Sequence, residues 1–236
     1  HRYLGDSFDI HGGGSDLLFP HHENERAQSL CCFPRSQFAN YWVHNAMLLV
    51  EGEKMSKSLG NFLTIRDVLA QAPAEALRLL LLGAHYRSTL NYTQAGLNEA
   101  RKTLDRFYRA LASVTDIPDA AVPQTVRAAL EEDLNTPKAI AELHVLANQA
   151  MGGDREAAGA LRAGGRLLGL LQDDPQLWFK GGASVEEDAA IEGLIAERLA
   201  AKKARDFARA DALRDQLQAQ GIVLEDTKDG TSWRRA

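Results

Sequence analysis

The sequence predicts an α/β segment at the amino-terminal end, followed by a mostly α-helical remainder that finishes in a small α+β unit. Two short apolar runs, Phe8–Ile10 and Ala46–Val50, are typical of buried parallel strands. From Thr64 onward, apolar residues recur at helical spacing through most of the chain. Near the carboxyl end, residues 222–226 and 231–235 indicate a hairpin around a Lys-Asp-Gly turn.

The composition is that of an ordinary globular protein, and it limits the partners to be expected. Of the 236 residues, 45% are hydrophobic and 25% are charged, and no apolar run approaches the roughly 20 residues of a membrane span. We therefore expect no membrane partner. The net charge of −5 argues against binding nucleic acid through bulk charge, but it is compatible with a local basic surface. The only cysteines, Cys31 and Cys32, are adjacent and form no disulfide framework, which predicts a cytoplasmic location.

The first residues predict that the chain is the carboxyl-terminal part of a longer polypeptide. It opens with His1 rather than Met, and its first strand would belong in the middle of a sheet. We therefore expect further elements of the same domain before His1.

A glycine-rich segment, HGGGSD, follows the first predicted strand. Its three consecutive glycines allow the backbone to approach a ligand closely. The carboxylate of Asp16 can accept hydrogen bonds from ribose hydroxyls. The alternative is a tight strand-to-helix connection in which Ser15 or Asp16 caps the helix.

The next segment is predicted to be helical from about Pro20, because proline suits a first helical turn. His21 and Glu25 are four residues apart and so share one helical face. An imidazole and a carboxylate there can supply two ligands of a zinc site, or they can form an ordinary solvated contact. His22 lies on a different face and has the weaker claim.

A loop with two lysines, Lys54-Met55-Ser56-Lys57-Ser58, follows the second predicted strand. A helix start with the capping-box pattern Thr64-x-x-Asp67 comes after it. The loop therefore lies at the carboxyl end of a parallel strand, where open α/β sheets bind ligands. Two ammonium groups three residues apart suit a mobile clamp on phosphates, and the alternative is a solvated basic turn.

Breaks in composition divide the chain into residues 1–63, 64–116, 117–182 and 183–236. Predicted helices cover about 64–72, 74–85, 93–113, 123–133, 137–151, 154–171, 184–204 and 206–220. Thr93, Thr136 and Ser184 are the predicted N-caps of three of them. The helices of residues 117–182 are interpreted as a structural bundle.

Basic residues concentrate in the last segment. Between Arg198 and Arg214, six Arg or Lys residues stand against two Asp in an otherwise acidic protein. Trp233 can stack on an unstacked base, and Arg234 and Arg235 can stack or form hydrogen bonds. The alternative is a solvated basic helix with a tryptophan in the core.

Several of these motifs together resemble one enzyme family. The Lys-Met-Ser-Lys-Ser string matches the second signature of class I aminoacyl-tRNA synthetases. The stretch Phe8–Glu25, with Tyr41–His44 and the spacing to the signature loop, resembles the zinc-site segment of cysteinyl-tRNA synthetases. The resemblance extends to Ala236. It implies the second half of a Rossmann-type catalytic domain over residues 1–63, a helical connecting region, a helical bundle, and an anticodon-binding unit over residues 183–236.

The resemblance implies ATP-dependent activation of L-cysteine and its transfer to tRNA(Cys) by a monomeric enzyme. Mg²⁺ would accompany ATP, and one Zn²⁺ per full-length chain would bind the substrate thiolate. His21 and Glu25 match the last two zinc ligands, whereas the two cysteine ligands would precede His1 and are not Cys31 or Cys32. The catalytic residues implied are Lys54 and Lys57. The ATP-binding residues implied are His11, Gly12, Gly14, Asp16, Lys54, Ser56 and Lys57. The residues implied to bind tRNA are Arg198, Lys202, Lys203, Arg205, Arg209, Trp233, Arg234 and Arg235.

Two other functions fit parts of the sequence. The cysteine ligase of mycothiol synthesis shares the zinc and signature segments but couples cysteine to an amino sugar. The basic hairpin ending in Trp233, Arg234 and Arg235 argues against that ligase, which has no anticodon to read. The other alternative is a non-catalytic tRNA-binding fragment.

Overall fold

A computed structural model describes residues 1–55, 60–180, 185–227 and 230–235. Its helices are α1 Glu23–Cys32, α2 Ile65–Leu69, α3 Ala74–Leu82, α4 Gln94–Ala112, α5 Gln124–Glu131, α6 Thr136–Met151, α7 Arg155–Leu167, α8 Pro175–Lys180, α9 Val185–Lys203 and α10 Phe207–Ala219. Its strands are β1 Ser7–Gly14, β2 Phe38–Asn45, β3 Leu48–Val50, β4 Glu53–Lys54, β5 Leu90–Tyr92, β6 Ile222–Thr227 and β7 Gly230–Arg235. Among these residues, no helix combines the length and the apolar character needed to cross a membrane.

The predicted fold class is confirmed: short parallel strand pairs come first and helices dominate the rest. Strands β1 and β2 run parallel on either side of α1 in the sequence, as in a βαβ unit. Strand β3 pairs with β4 in an antiparallel hairpin and with β5 in parallel. The predicted hairpin at the carboxyl end is the antiparallel pair β6–β7.

Two of the predicted helix caps are confirmed by the structure. Thr64 and Asp67 form the predicted capping box of α2. Thr93 caps α4 by accepting from the Gly96 N–H at 2.9 Å. The predicted N-cap of α6 was wrong, because Asn135 rather than Thr136 accepts from the Lys138 N–H. The predicted cap Ser184 lies outside the described residues.

Two hydrophobic clusters organise the described part of the chain. The larger one joins β3 to helices α2–α7, and its largest fully buried side chains are Phe107 and Tyr108 of α4. The smaller one lies in the carboxyl-terminal unit and consists of Ile191, Ile195, Leu217, Ile222 and Trp233. The helical region and the carboxyl-terminal unit therefore each have a core of their own.

Helix α3 is bound by the bundle near both of its ends. The Glu75 carboxylate accepts hydrogen bonds from the Tyr108 hydroxyl at 3.0 Å and from the backbone N–H groups of Leu171 and Gln172, both at 2.9 Å. Burial raises the pKa of Tyr108, so this hydroxyl keeps its proton and acts as the donor. At the other end, the Thr136 hydroxyl donates to the carbonyl of Leu82, the last residue of α3, at 2.7 Å.

Candidate functional site

Three side chains converge beside β1, and we call them the histidine–glutamate cluster. His11 belongs to β1, His22 immediately precedes α1, and Glu25 belongs to the first turn of α1. One possible ligand atom from each lies within 4.8 Å of the other two. His11 Nε2 and Glu25 Oε2 are 3.0 Å apart.

Strand β2 packs two aromatic side chains against this cluster. The parallel register pairs His11 with Trp42 and Gly13 with His44. His22 Nδ1 and His44 Nε2 are 2.9 Å apart, so one ring nitrogen donates a hydrogen bond and the other accepts it. Trp42 meets His11 edge-on, with ring centroids 4.9 Å apart. A Cβ atom at Gly13 would stand 2.7 Å from His22 Cε1, so a glycine is needed here to leave room for the imidazole.

His44, which packs against the cluster, has surroundings that disfavour its protonated form. Burial, then the neighbouring His22 and His11, and then Arg87 lower the pKa of His44. His11 Nε2 approaches Glu25 without the alignment of a hydrogen bond, and it is buried with no hydrogen-bond partner among the described residues. Two imidazole nitrogens and a carboxylate oxygen are a donor set that Zn²⁺ accepts in proteins. The residues present therefore fit a metal ion chemically.

The structure brings His22 rather than His21 to Glu25. The predicted helix start was too early, because Leu18–His22 form a π-type turn and α1 begins at Glu23. The four-residue spacing of His21 and Glu25 therefore does not lie on one regular helix. His21 is exposed and is not a member of the cluster, whereas His22 is only 6% exposed.

The candidate nucleotide-contacting residues lie along the end of β1. His11, Gly12 and Gly14 are part of the strand, which extends four residues beyond the predicted Phe8–Ile10 run. Asp16 is exposed in the short 3-10 turn that follows. Gly14 is the N-cap of this turn and His22 is the N-cap of α1, and neither has a side-chain cap hydrogen bond. The alternative that Ser15 or Asp16 caps the helix is therefore wrong. The carboxylate is open to solvent and hence to a ligand.

The signature loop is described only at its first two residues, Lys54 and Met55. Lys54 ends β4 with an exposed side chain, and its carbonyl accepts from Asn61 Nδ2 at 3.2 Å. This hydrogen bond joins the start of the loop to the residues just after it. Ser56 and Lys57 lie outside the described residues.

Two of the residues predicted to bind RNA belong to the core of the carboxyl-terminal unit instead. Trp233 is 6% exposed and donates from Nε1 to Glu192 at 2.8 Å. Arg198, on α9, is 5% exposed. In this conformation the two side chains therefore point away from solvent, and the indole is buried by packing between α9, α10 and the hairpin. Their role in RNA binding stays a prediction.

The exposed basic residues of this unit lie around the junction of α9 and α10. Lys203 and Arg205 are exposed, Lys202 is partly buried, and Arg209 is exposed and forms an ion pair with Glu197. The side chains of Arg234 and Arg235 lie outside the described set. Sequence reasoning missed Phe207, the first residue of α10, which is 64% exposed next to these cations. The signal was an aromatic residue at a helix start within the basic run.

Three family models match successive parts of the chain. Residues 1–102 match the catalytic domain of class I tRNA synthetases (C), and residues 125–172 match the DALR domain. Residues 184–234 match the cysteinyl-tRNA ligase anticodon binding domain. The three matches follow one another without overlap.

Curated relatives match over the whole chain. The cysteine–tRNA ligase of Gluconobacter oxydans is 64% identical over 100% of this chain and 52% of its own length. Those of Acidiphilium cryptum and Rhodospirillum rubrum are each 58% identical over 100% of this chain, and they are covered over 52% and 53% of their lengths. The chain thus spans about half the length of the curated relatives it matches.

A solved structure supports the fold independently. LeuRS of Agrobacterium radiobacter K84, in a ternary complex with tRNA and LeuAMS, superposes with a TM-score of 0.51 and 23% identity over 68% of this chain and 25% of that one. At this identity, the likeness concerns the fold alone. The three consecutive family matches and the high identity over the entire chain concern the sequence as well as the fold. Along its whole length, the chain is similar to cysteinyl-tRNA synthetases.

Proposed function

We propose that this chain is part of a cysteine–tRNA ligase, which activates L-cysteine with ATP and Mg²⁺ and transfers it to tRNA(Cys). The observation that carries the proposal is the 64% identity to a cysteine–tRNA ligase over 100% of the chain. The match of residues 184–234 to an anticodon binding domain supports tRNA as the acceptor over an amino sugar. The enzyme is proposed to act in the cytoplasm as a monomer.

The proposed division of roles rests on the resemblance. Lys54 and Lys57 act on the phosphates of ATP and stabilise charge as pyrophosphate leaves. His11, Gly12 and Gly14 of β1, together with Asp16 of the turn that follows, bind ATP, and Asp16 contacts the adenosine. The full-length enzyme is taken to be a polypeptide of the relatives' full length that contains this chain.

Cysteine-dependent ATP–pyrophosphate exchange by the full-length enzyme tests the activity. Lys57→Ala is expected to lower the exchange rate far more than it weakens cysteine binding, because its charge is used mainly in the transition state. Lys138→Ala is the matched control, since Lys138 is an exposed lysine of the helical bundle, paired with Glu132. Exchange with serine but not cysteine, or no exchange at all, would contradict the proposal. The 236-residue chain by itself is expected to show no exchange, since it spans half of the relatives' length.

We propose that Glu25 is a zinc ligand of this enzyme. A bound zinc would supply a Lewis acid that prefers the cysteine thiolate over the serine hydroxyl, so that no editing site is required. Two ligand sets share Glu25 and differ in their other members. The resemblance implies His21 with cysteines upstream, whereas the geometry favours His22 and His11.

Zinc content after dialysis against a mild chelator decides between the two sets. Glu25→Ala in the full-length enzyme is expected to lose zinc in either case. Loss of zinc in His21→Ala with retention in His22→Ala would establish the set implied by the resemblance, and the reverse would establish the cluster. Retention of stoichiometric zinc by Glu25→Ala would refute the proposed role of this carboxylate.

The proposed RNA-binding surface lies at the junction of α9 and α10. It combines the exposed cations Lys203 and Arg205 with the exposed ring of Phe207. Cations contact phosphates and an exposed aromatic ring stacks on an unpaired base, which is the usual way to grip a single-stranded loop. tRNA binding is expected to weaken steeply as salt is raised, because phosphate contacts release counterions. Equal affinity for a tRNA with a scrambled anticodon would show that the surface grips RNA without reading it.

A further inference from the structure

A carboxylate of the helical bundle binds two residues of the segment between α3 and β5. Asp133 lies in the turn between α5 and α6. Its Oδ1 accepts from the Tyr86 hydroxyl at 2.6 Å, and its Oδ2 accepts from Arg87 Nε at 2.7 Å. A further contact from Arg87 Nη2 to Oδ1, at 3.3 Å, makes the arginine pair two-pronged. Tyr86 and Arg87 follow α3 and precede β5.

The turn that carries Asp133 contains two consecutive residues in the left-handed backbone region. Asp133 and Leu134 both have positive φ angles, 52° and 55°, which side-chain-bearing residues seldom adopt. The turn is stabilised by a backbone hydrogen bond from Asn135 N–H to the Ala129 carbonyl. Strained backbone of this kind persists only where the surroundings hold it in place. Here it aims the Asp133 carboxylate at Tyr86 and Arg87.

Tyr86 is also hydrogen-bonded to the residue that directly follows β2. The Tyr86 carbonyl accepts from the Ala46 N–H at 2.8 Å. Ala46 comes directly after β2 and two residues after His44, which is hydrogen-bonded to His22 of the cluster. Arg87 is also close enough to contribute to the lowered pKa of His44. Tyr86 and Arg87 therefore lie between the bundle and the end of β2.

We propose that Asp133 is a positioning residue for the cysteine-binding site: it holds Tyr86 and Arg87 in place, and these in turn fix the end of β2 that carries His44. The proposal rests on the proposed function, in which the cluster forms part of that site. In this proposal Asp133 touches no substrate and acts through Tyr86 and Arg87, with His85 Nε2 a more distant neighbour at 3.9 Å from its Oδ2. The helical bundle, which follows the catalytic segment in sequence, thereby contributes to the geometry of amino-acid binding.

The test compares Asp133→Asn with Glu132→Gln in the full-length enzyme. Each variant neutralises one of two adjacent carboxylates in the same turn. Glu132, however, pairs with Lys138 of the bundle and has no contact that connects it to β2 among the described residues. We expect Asp133→Asn to raise the KM for cysteine about threefold to tenfold with kcat of pyrophosphate exchange little changed, and Glu132→Gln to behave as wild type. Tyr86→Phe removes one of the bonds and leaves the arginine pair, so a smaller change in the same direction is expected even if Asp133→Asn folds poorly.

A second readout separates this inference from the proposed function. The side-chain NMR signals of His44 are expected to shift in Asp133→Asn and not in Glu132→Gln, whether or not the protein activates cysteine. A wild-type enzyme without cysteine-dependent exchange would refute the proposed function, while the NMR comparison would still test the positioning. An active wild type, with unchanged cysteine KM and unchanged His44 signals in both Asp133→Asn and Tyr86→Phe, would overturn the inference. A fall in Tm alone would do the same, since it would show a purely structural role.

Discussion

Replacing Trp233 by alanine should unfold the carboxyl-terminal unit rather than remove a contact with RNA. The indole is 6% exposed, packs with Ile191, Ile195 and Leu217, and donates a hydrogen bond to Glu192. A tryptophan side chain buries about 150–250 Å², which at roughly 25 cal/mol per Å² gives an upper estimate of about 4–6 kcal/mol. Measured losses for Trp→Ala in cores are about 3–5 kcal/mol.

That loss is comparable to the entire stability of so small a unit. At about 0.05–0.15 kcal/mol per residue, a unit of roughly 50 residues is stable by only about 3–8 kcal/mol. Trp233→Ala is therefore expected to abolish the folding transition of this unit or to lower its midpoint sharply. Any loss of tRNA affinity in this variant would follow from unfolding.

Phe207→Ala provides the matched comparison, because the same unit offers an aromatic ring that is 64% exposed. Its removal is expected to change the free energy of unfolding by no more than about 0.5 kcal/mol. If the ring stacks on an anticodon base, tRNA affinity should fall by about 1–3 kcal/mol, or roughly 5- to 150-fold. Cysteine-dependent pyrophosphate exchange, the activity proposed for the catalytic segment, should be unchanged.

The assay combines urea denaturation followed by circular dichroism with tRNA binding by both variants of the full-length enzyme. Wild-type stability of Trp233→Ala together with a loss of tRNA affinity would refute the structural role of the indole, since it would make the indole an RNA contact after all. A loss of stability in Phe207→Ala as large as that in Trp233→Ala would equally refute the contrast between the two rings.

Two further predictions concern the helical region. Glu75→Gln replaces one acceptor oxygen by a donor and removes the charge that binds Tyr108 and the residues after α7. We therefore expect urea titration to show a loss of about 2–4 kcal/mol in the free energy of unfolding. An unchanged midpoint would contradict the role of this carboxylate. Hydrogen bonds from Arg87 and then Tyr86 lower the pKa of Asp133 to about 2. Its ionised form therefore stabilises the fold fully above about pH 4, and this contribution is lost as the pH falls towards 2. Thermal melts of wild type and Asp133→Asn between about pH 5 and pH 2 should accordingly converge at the acid end, and parallel curves would exclude the linkage.

The parts of the fold that could be predicted from the sequence are those set by neighbours along the chain. The caps Thr64 and Thr93 were identified because a hydroxyl and a backbone N–H three residues apart suffice to form them. The short helix α8 was missed, because its six residues carry too little periodicity to recognise. The pairing of Glu75 with residues 171 and 172 joins positions almost a hundred residues apart and leaves no local signal.

In the candidate site, too, the sequence predicted what depends on neighbouring residues but not what depends on contacts between elements. The residues around β1 and α1 were recognised as a group from their motif, but the choice between His21 and His22 depended on a helix start that the sequence placed too early. The basic residues and Trp233 led to the prediction that the last unit binds RNA. They could not show that Trp233 turns inward and Phe207 outward, because burial is decided by contacts between elements and not by residue type.

The attachment of α3 at both ends determines which parts of the molecule can move relative to one another. Glu75 near its start and Leu82 at its end are each bound by the bundle, so no hinge can operate between this helix and the bundle without breaking both contacts. Rigid-body rotation of the bundle must carry α3 along, and with it the residues after the helix, including Tyr86. Superposition of RNA-free and RNA-bound forms should therefore align α3 with the bundle even if the parallel strands β1 and β2 have shifted.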